Sequence, residues 1–290
     1  MAKLLDILAP KRLSRSRVGD VVVFLLLVVF GLFMALPFIY AVSNSLKPLN
    51  ELWIFPPRFF VRHPTLENFH ELFTLMEDSW IPMTRYIFNS LFITIAGTAG
   101  HIVLASMCAY PLAKFRFPGT KLFFKIVVTS LMFSAAVLAI PNYLTLAAFR
   151  LIDTYWAIII PAMGGSLGLF LMKNFMETNI PDALLESASI DGANEWVKFT
   201  RIIMPLVRPA WLTLIIFSVQ SLWSLGSTPL IYSEELKTLP YALGQIQTSG
   251  IARAGVSAAI GVFMMSLPLL VFIFTQSSIM ETMSTSGIKE

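Results

Sequence analysis

The stretch VVVFLLLVVFGLFMALPFIYAV, residues 21–42, carries no charged side chain over 22 positions. At about 1.5 Å of rise per residue, a helix of that length crosses the hydrocarbon of a bilayer. Lys3, Lys11, Arg12, Arg15 and Arg17 precede it, as bases precede the apolar core of a secretory leader. The run is too long for such a core and no clear small-residue cleavage site follows it, so it reads as a retained first membrane helix.

Five further runs pass the same length test, roughly 86–110, 122–149, 155–175, 210–232 and 255–278. The expected fold is an all-α integral membrane protein with six transmembrane helices. Composition agrees: of 290 residues 56% are hydrophobic and 13% charged, with mean hydropathy +0.74, against roughly 45–50% apolar and about 25% charged in soluble domains. The net charge of +4 forms no stripe that nucleic acid would need, because the bases fall between the apolar runs. With six spans both termini share a side, and fourteen of the 21 Lys and Arg lie there. The positive-inside bias makes that side the cytoplasm. The expected divisions are a cytoplasmic tail over 1–20, the first helix over 21–42, and an extracellular segment over 43–85. A five-helix core over 86–278 follows, including a cytoplasmic loop over 176–209, and a cytoplasmic tail closes the chain over 279–290. Within 43–85, Leu66, Phe69, Leu72, Phe73 and Met76 share one side of a short helix that would lie on the outer membrane surface.

Only one inner loop is long. Pro181 pre-sets a first helical turn, Asp182 has the sign favoured at a helix N-terminus, and Ala183 to Ile190 are mostly good helix formers. Asp191-Gly192 is turn chemistry, after which Ala193 to Ile203 can form a second short helix before Pro205 and Pro209. Leu184, Leu185, Ala188, Trp196, Val197 and Phe199 supply more apolar surface than a solvated loop needs. Periodicity alone leaves two destinations open, a groove on another protein or the lipid headgroups.

The spelling of the loop goes further. Glu186-Ser187-Ala188-Ser189-Ile190-Asp191-Gly192-Ala193, followed by Phe199, Ile202, Met204-Pro205 and Pro209, resembles the signature loop of bacterial ABC importer permeases. Ser187 and Met204 stand where that loop has Ala and Leu. Asn44-Ser45-Leu46-Lys47-Pro48, Tyr110-Pro111-Leu112-Ala113-Lys114-Phe115, Asp153-Thr154-Tyr155 and the tail from Ser286 to Glu290 resemble the carbohydrate branch and its maltose-type second permease, over nearly the whole chain. It departs at Ser224, where these permeases usually have Asn, and over 276–286, which lacks their Arg and Gly-Leu pattern.

The resemblance implies the type I ABC importer permease fold, multi-pass in a bacterial cytoplasmic membrane, and a non-catalytic subunit. It implies no cofactor on this chain, with ATP and Mg bound by a partner ATPase. The implied partners are a second permease in a heterodimer, two ATPase subunits, an extracellular solute-binding protein and membrane lipid, and no nucleic acid. ATPase-coupling residues are then Glu186, Ala188, Asp191, Gly192, Ala193, Phe199 and Pro205, with Glu186 as charge partner and Gly192 allowing the tight turn. In relatives the C-terminal tail lies between the two ATPases.

No catalytic constellation is spelled out, and the single Cys108 with no Cys/His spacing leaves no disulfide or metal site to expect. No Gly-x4-Gly-Lys segment is present to hold ATP. A sugar path needs aromatic faces and hydrogen-bonding groups, and Asn89, Asn142, Tyr143, Gln220, Trp223, Ser224, Ser227 and Tyr232 supply them. The same residues also suit interhelical bonds and the aromatic belts of a membrane protein. Pro240, Tyr241 and Gln245 are candidates for contact with the binding protein. His101 reads as a neutral side chain bonded to a neighbouring helix, and Gly164, Gly165 and Gly168 as close helix packing. The expected function is half of the translocation path for a sugar, an oligosaccharide, with a polyol or glycerol phosphate as the alternative cargo. An ion-coupled secondary transporter would call for intramembrane carboxylates and two related halves, which this sequence lacks.

Overall fold

The computed structural model describes residues 17–77, 81–248 and 253–286. The basic residues Lys3, Lys11, Arg12 and Arg15 and the last four positions of the C-terminal tail lie outside the described residues. The principal helices are α1 (Arg17–Ser45), α2 (Glu67–Glu77), α3 (Met83–Lys114), α4 (Thr120–Ser130), α5 (Ala135–Ala148) and α6 (Trp156–Met163). They continue as α7 (Ser166–Asn179), α8 (Asp182–Ile190), α9 (Arg208–Trp223), α10 (Leu239–Gln247) and α11 (Ala254–Ser286). Among the described residues there is no strand. Four stretches, Gly19–Ser45, Met83–Lys114, Trp156–Asn179 and Ala254–Ser277, are long and apolar enough to cross a membrane, or up to six if two sharply bent pairs each count as one span.

α3 is the central mast, with α6, α7 and α9 packed along it. Small residues set these approaches. A Cβ at Gly97 would lie 2.7 Å from Leu222 of α9, and one at Gly168 would lie 2.1 Å from His101 Nε2. His101 fills that space, with Nδ1 2.8 Å from Ser218 Oγ on α9 and Nε2 3.2 Å from the Gly165 carbonyl before α7. One imidazole thus joins three helices, a use of polar side chains suited to packing in lipid.

Three expectations are corrected. The third apolar run, 122–149, is not one helix: α4 and α5 meet at a 110° bend. Thr129 and Ser130 donate their hydroxyls to backbone carbonyls one turn back, and Ser134 is extended, so the ladder ends before Ala135 restarts it. The fifth helix stops at Trp223 rather than running to Tyr232, and 224–232 is irregular backbone with Gly226 and Pro229 within it. Finally, the apolar side of α2, expected to face the membrane, packs in part on protein instead. Leu72 and Met76 are buried against Trp223, Leu239 and the start of α11, while Leu66 and Phe73 of the expected apolar face stay exposed. Asn68 pins the helix by donating to the carbonyls of Ser45 at 2.8 Å and Lys47 at 2.7 Å, which closes the end of α1.

Candidate functional site

The loop between α7 and α9 is the most elaborated connection among the described residues. Pro181 is extended and leads into α8, whose first residue Asp182 pairs with Lys114 at 2.8 Å. Lys114 also donates to the Ile180 carbonyl at 2.5 Å, so the end of α3 holds the root of the loop by side chain and backbone. The hydrogen bond and charge of Lys114 keep the Asp182 carboxyl below the usual carboxylate range.

α8 ends in a Schellman turn. Gly192 has φ +81°, its N–H bonds the Ser189 carbonyl at 3.1 Å, and the Ala193 N–H reaches back to the Ala188 carbonyl at 2.9 Å. Asn194 then caps the next turn, its Oδ1 accepting from Val197 N at 2.8 Å. Lys198–Ile203 winds as a π-helix, a wider turn often found at functional sites.

A second clamp fixes this half. Glu195 accepts from Lys198 Nζ at 2.6 Å and from Tyr110 Oη at 2.5 Å, and both bonds, Lys198 first, hold its carboxyl below the ordinary glutamate range. Phe199 stacks on Tyr110 at 5.9 Å and joins Met176, Ile203 and Leu214 in one buried cluster. The loop is therefore packed onto α3, α7 and α9. Of the seven coupling candidates, Ala188 and Phe199 are buried and Ala193 half-buried, whereas Glu186, Asp191, Gly192 and Pro205 are exposed. Beside the exposed set stand Ile190, 87% exposed, and Trp196, 61% exposed. The Asn194 cap and the Glu195–Tyr110–Lys198 cluster were not read from the sequence. The Tyr110 to Phe115 match was the only pointer to the receiving side of the clamp.

The path candidates separate into distinct places. Asn89 is fully buried and fully engaged: its amide nitrogen donates to the Glu235 and Lys237 carbonyls, both at 2.8 Å, and its oxygen accepts from Tyr155 Oη at 2.7 Å. That is the geometry of a tether. Gln220, Trp223 and Ser224 line one groove of about 660 Å³ with Phe38, Met264 and Phe272, and Trp223 Nε1 donates to the Met264 carbonyl at 2.9 Å. Tyr143 and Tyr232 meet hydroxyl to hydroxyl at 3.0 Å, with Asn142 half-buried beside them in the chain. Ser227 lines a separate cavity of about 270 Å³ together with Tyr241 and Gln245, while Pro240 is half-buried at the start of α10. Asp153 organises this region, its Oδ1 accepting from the backbone of Tyr232 and Ser233 at 2.9 and 2.8 Å and its Oδ2 from Ser233 Oγ at 2.5 Å. These bonds, the Ser233 hydroxyl first, hold its carboxyl below the ordinary carboxylate range.

No family model matches the chain. It is similar to the permease protein YtcP of a polygalacturonan/rhamnogalacturonan transport system from Bacillus subtilis, 32% identical over 230 residues that cover 78% of this chain and 76% of that one. It is also similar to the arabinooligosaccharides transport permease AraQ of Bacillus subtilis, 27% identical over 278 residues that cover 95% and 97% of the two chains. Among solved structures, a chain of a bacterial ABC transporter that imports the acidic polysaccharide alginate superposes with a TM-score of 0.73 at 23% identity, covering 93% of this chain and 99% of its own. A chain from an alginate ABC transporter in complex with a pentasaccharide-bound periplasmic protein gives a TM-score of 0.55 at 18% identity, over 87% and 92%.

Proposed function

The chain belongs to the permease subunits of sugar ABC transporters, and on that footing we propose that it forms half of the translocation path for an oligosaccharide in a bacterial cytoplasmic membrane. In this reading the bent pair α4–α5 counts as one span and α9 as another, giving six, with both termini in the cytoplasm. A second permease completes the path, two separate ATPase subunits bind ATP and Mg, and an extracellular binding protein delivers the sugar. The cargo assignment draws on the oligosaccharide and polysaccharide systems in which the relatives work.

The observation that carries the reading is the doubly clamped inner loop. Glu186, Ile190 and Trp196 face outward, while Asp182 and Glu195 fasten the loop to α3. An ATPase groove that accepts Ile190 and pairs Glu186 would move the loop and α3 together, because Phe199 and Tyr110 are already in contact. On the path side, Gln220 and Ser224 in the groove and the Tyr143–Tyr232 pair are the residues with hydrogen-bonding atoms available to a sugar. The test is uptake of a labelled arabino- or galacturono-oligosaccharide in cells carrying the whole system. Uptake should survive a proton uncoupler and stop on ATP depletion. Uptake that follows the proton gradient would overturn the assignment.

A further inference from the structure

Beside the root of the coupling loop lies a cavity of about 730 Å³ whose charged lining is Lys114, Arg116, Lys121, Lys173, Glu177 and Asp182. Both carboxylates are already engaged, Glu177 by Lys173 and Asp182 by Lys114. Lys173 is further held over the Phe124 ring at 4.3 Å. Arg116 and Lys121, by contrast, form no ion pair among the described residues, and both are exposed. The cavity therefore carries an excess of positive charge, with two cationic heads that no carboxylate among the described residues meets within 4 Å, although Arg116 also acts on Asp182 at longer range.

Its surroundings say what kind of anion fits. Phe115, Phe117, Leu122 and Phe123, interleaved with Arg116 and Lys121 in the same short stretch, are all exposed. Exposed aromatics alternating with bases at the ends of two apolar helices fit the membrane interface, with rings among the acyl chains and cations at phosphate depth. Basic pockets between membrane helices on the cytoplasmic side recognise anionic headgroups. A soluble phosphate would gain the charge contacts and leave the aromatic collar unused.

We infer that this cavity, between α3, α4 and the start of α8, binds the phosphate of an anionic glycerophospholipid through Arg116 and Lys121. The inference rests on the topology proposed above, which puts this end of α3 in the cytoplasm. A lipid seated there touches the residues that anchor the coupling loop, so the bilayer's charge reaches the hinge of the transport cycle.

The test is lipid retention by the full-length chain, purified with its partner subunits and read by native mass spectrometry. Phosphatidylglycerol should be retained over phosphatidylcholine and should resist excess inorganic phosphate. Arg116→Gln and Lys121→Gln should each weaken retention about fivefold, the contribution of one base beside an anionic leaflet. Lys125→Gln, on α4 but outside the cavity lining, should leave retention nearly unchanged. Equal retention of both lipids, equal loss from Lys125→Gln, or displacement by phosphate would overturn the site. So would variants that release the ATPase while retention holds, which would make this a protein contact. Retention is read without transport, and a reporter inserted at Pro118 checks the side of the membrane, so failure here is distinct from failure of the proposed function.

Discussion

Gly192 answers a demand of the backbone. Its φ of +81° is left-handed while nothing lies within 4 Å of where a Cβ would sit, so within this chain a substitution is resisted by backbone conformation alone. Gly192→Ala should cost roughly 1–2 kcal/mol locally, and Gly192→Asp should abolish uptake with membrane insertion unchanged, read by transport assay and membrane fractionation. At Gly168 the demand is internal. Gly168→Ala drives a methyl to within 2.1 Å of His101 Nε2, an overpacking worth about 1–3 kcal/mol. Thermal unfolding in detergent should show the loss, and adding His101→Ala should recover much of it. The Asp191-Gly192 turn was legible because a dipeptide carries its own conformational preference. Asp153 was legible only as part of a family match, because its partners lie 79 and 80 residues away and no local pattern announces them.

Helices differ in how openly the chain announces them. α1 and α3 are long and apolar on average, and their existence follows from length and hydropathy alone. The break between α4 and α5 was not visible, since hydropathy measures how long a run is and says nothing about its direction. The irregular 224–232 segment was hidden for the same reason. The helix-turn-helix between α7 and α9 was readable from Pro181, Asp191 and Gly192, but its two clamps were not, because each joins residues far apart in the chain. Those clamps carry a pH dependence. Asp182 and Glu195 are stronger acids in the folded protein than in a free chain, so their contribution is complete above the ordinary carboxylate range. It fades as pH falls through their lowered folded values. Protection factors over 182–203, which remove the intrinsic slowing of amide exchange in acid, should therefore fall on acidification below the ordinary range, and Glu195→Gln should flatten the Glu195 part of that response.

For the whole molecule, the exposed apolar surface is the dominant fact. α1 is bare around nearly its full girth, and Met132, Ile140 and Leu144 of the bent pair are exposed as well. Lipid can cover such a surface, but α5 also carries the polar Asn142 and Tyr143, which a second permease would cover better than acyl chains. Expression without that partner should lower the abundance of the chain, measured by immunoblot of membranes, and a periplasmic reporter enzyme fused at the C-terminus should be inactive while one inserted near residue 234 is active. His101, bolted to α7 and α9, has a mechanical meaning beyond packing. It makes α3 a stiff lever: 32 residues give roughly 48 Å of arm, so each degree of tilt about one end sweeps the other through roughly 0.8 Å. Under the proposed topology a tilt of a few degrees at one end of α3 therefore displaces the other by a few ångströms, about the length of a hydrogen bond.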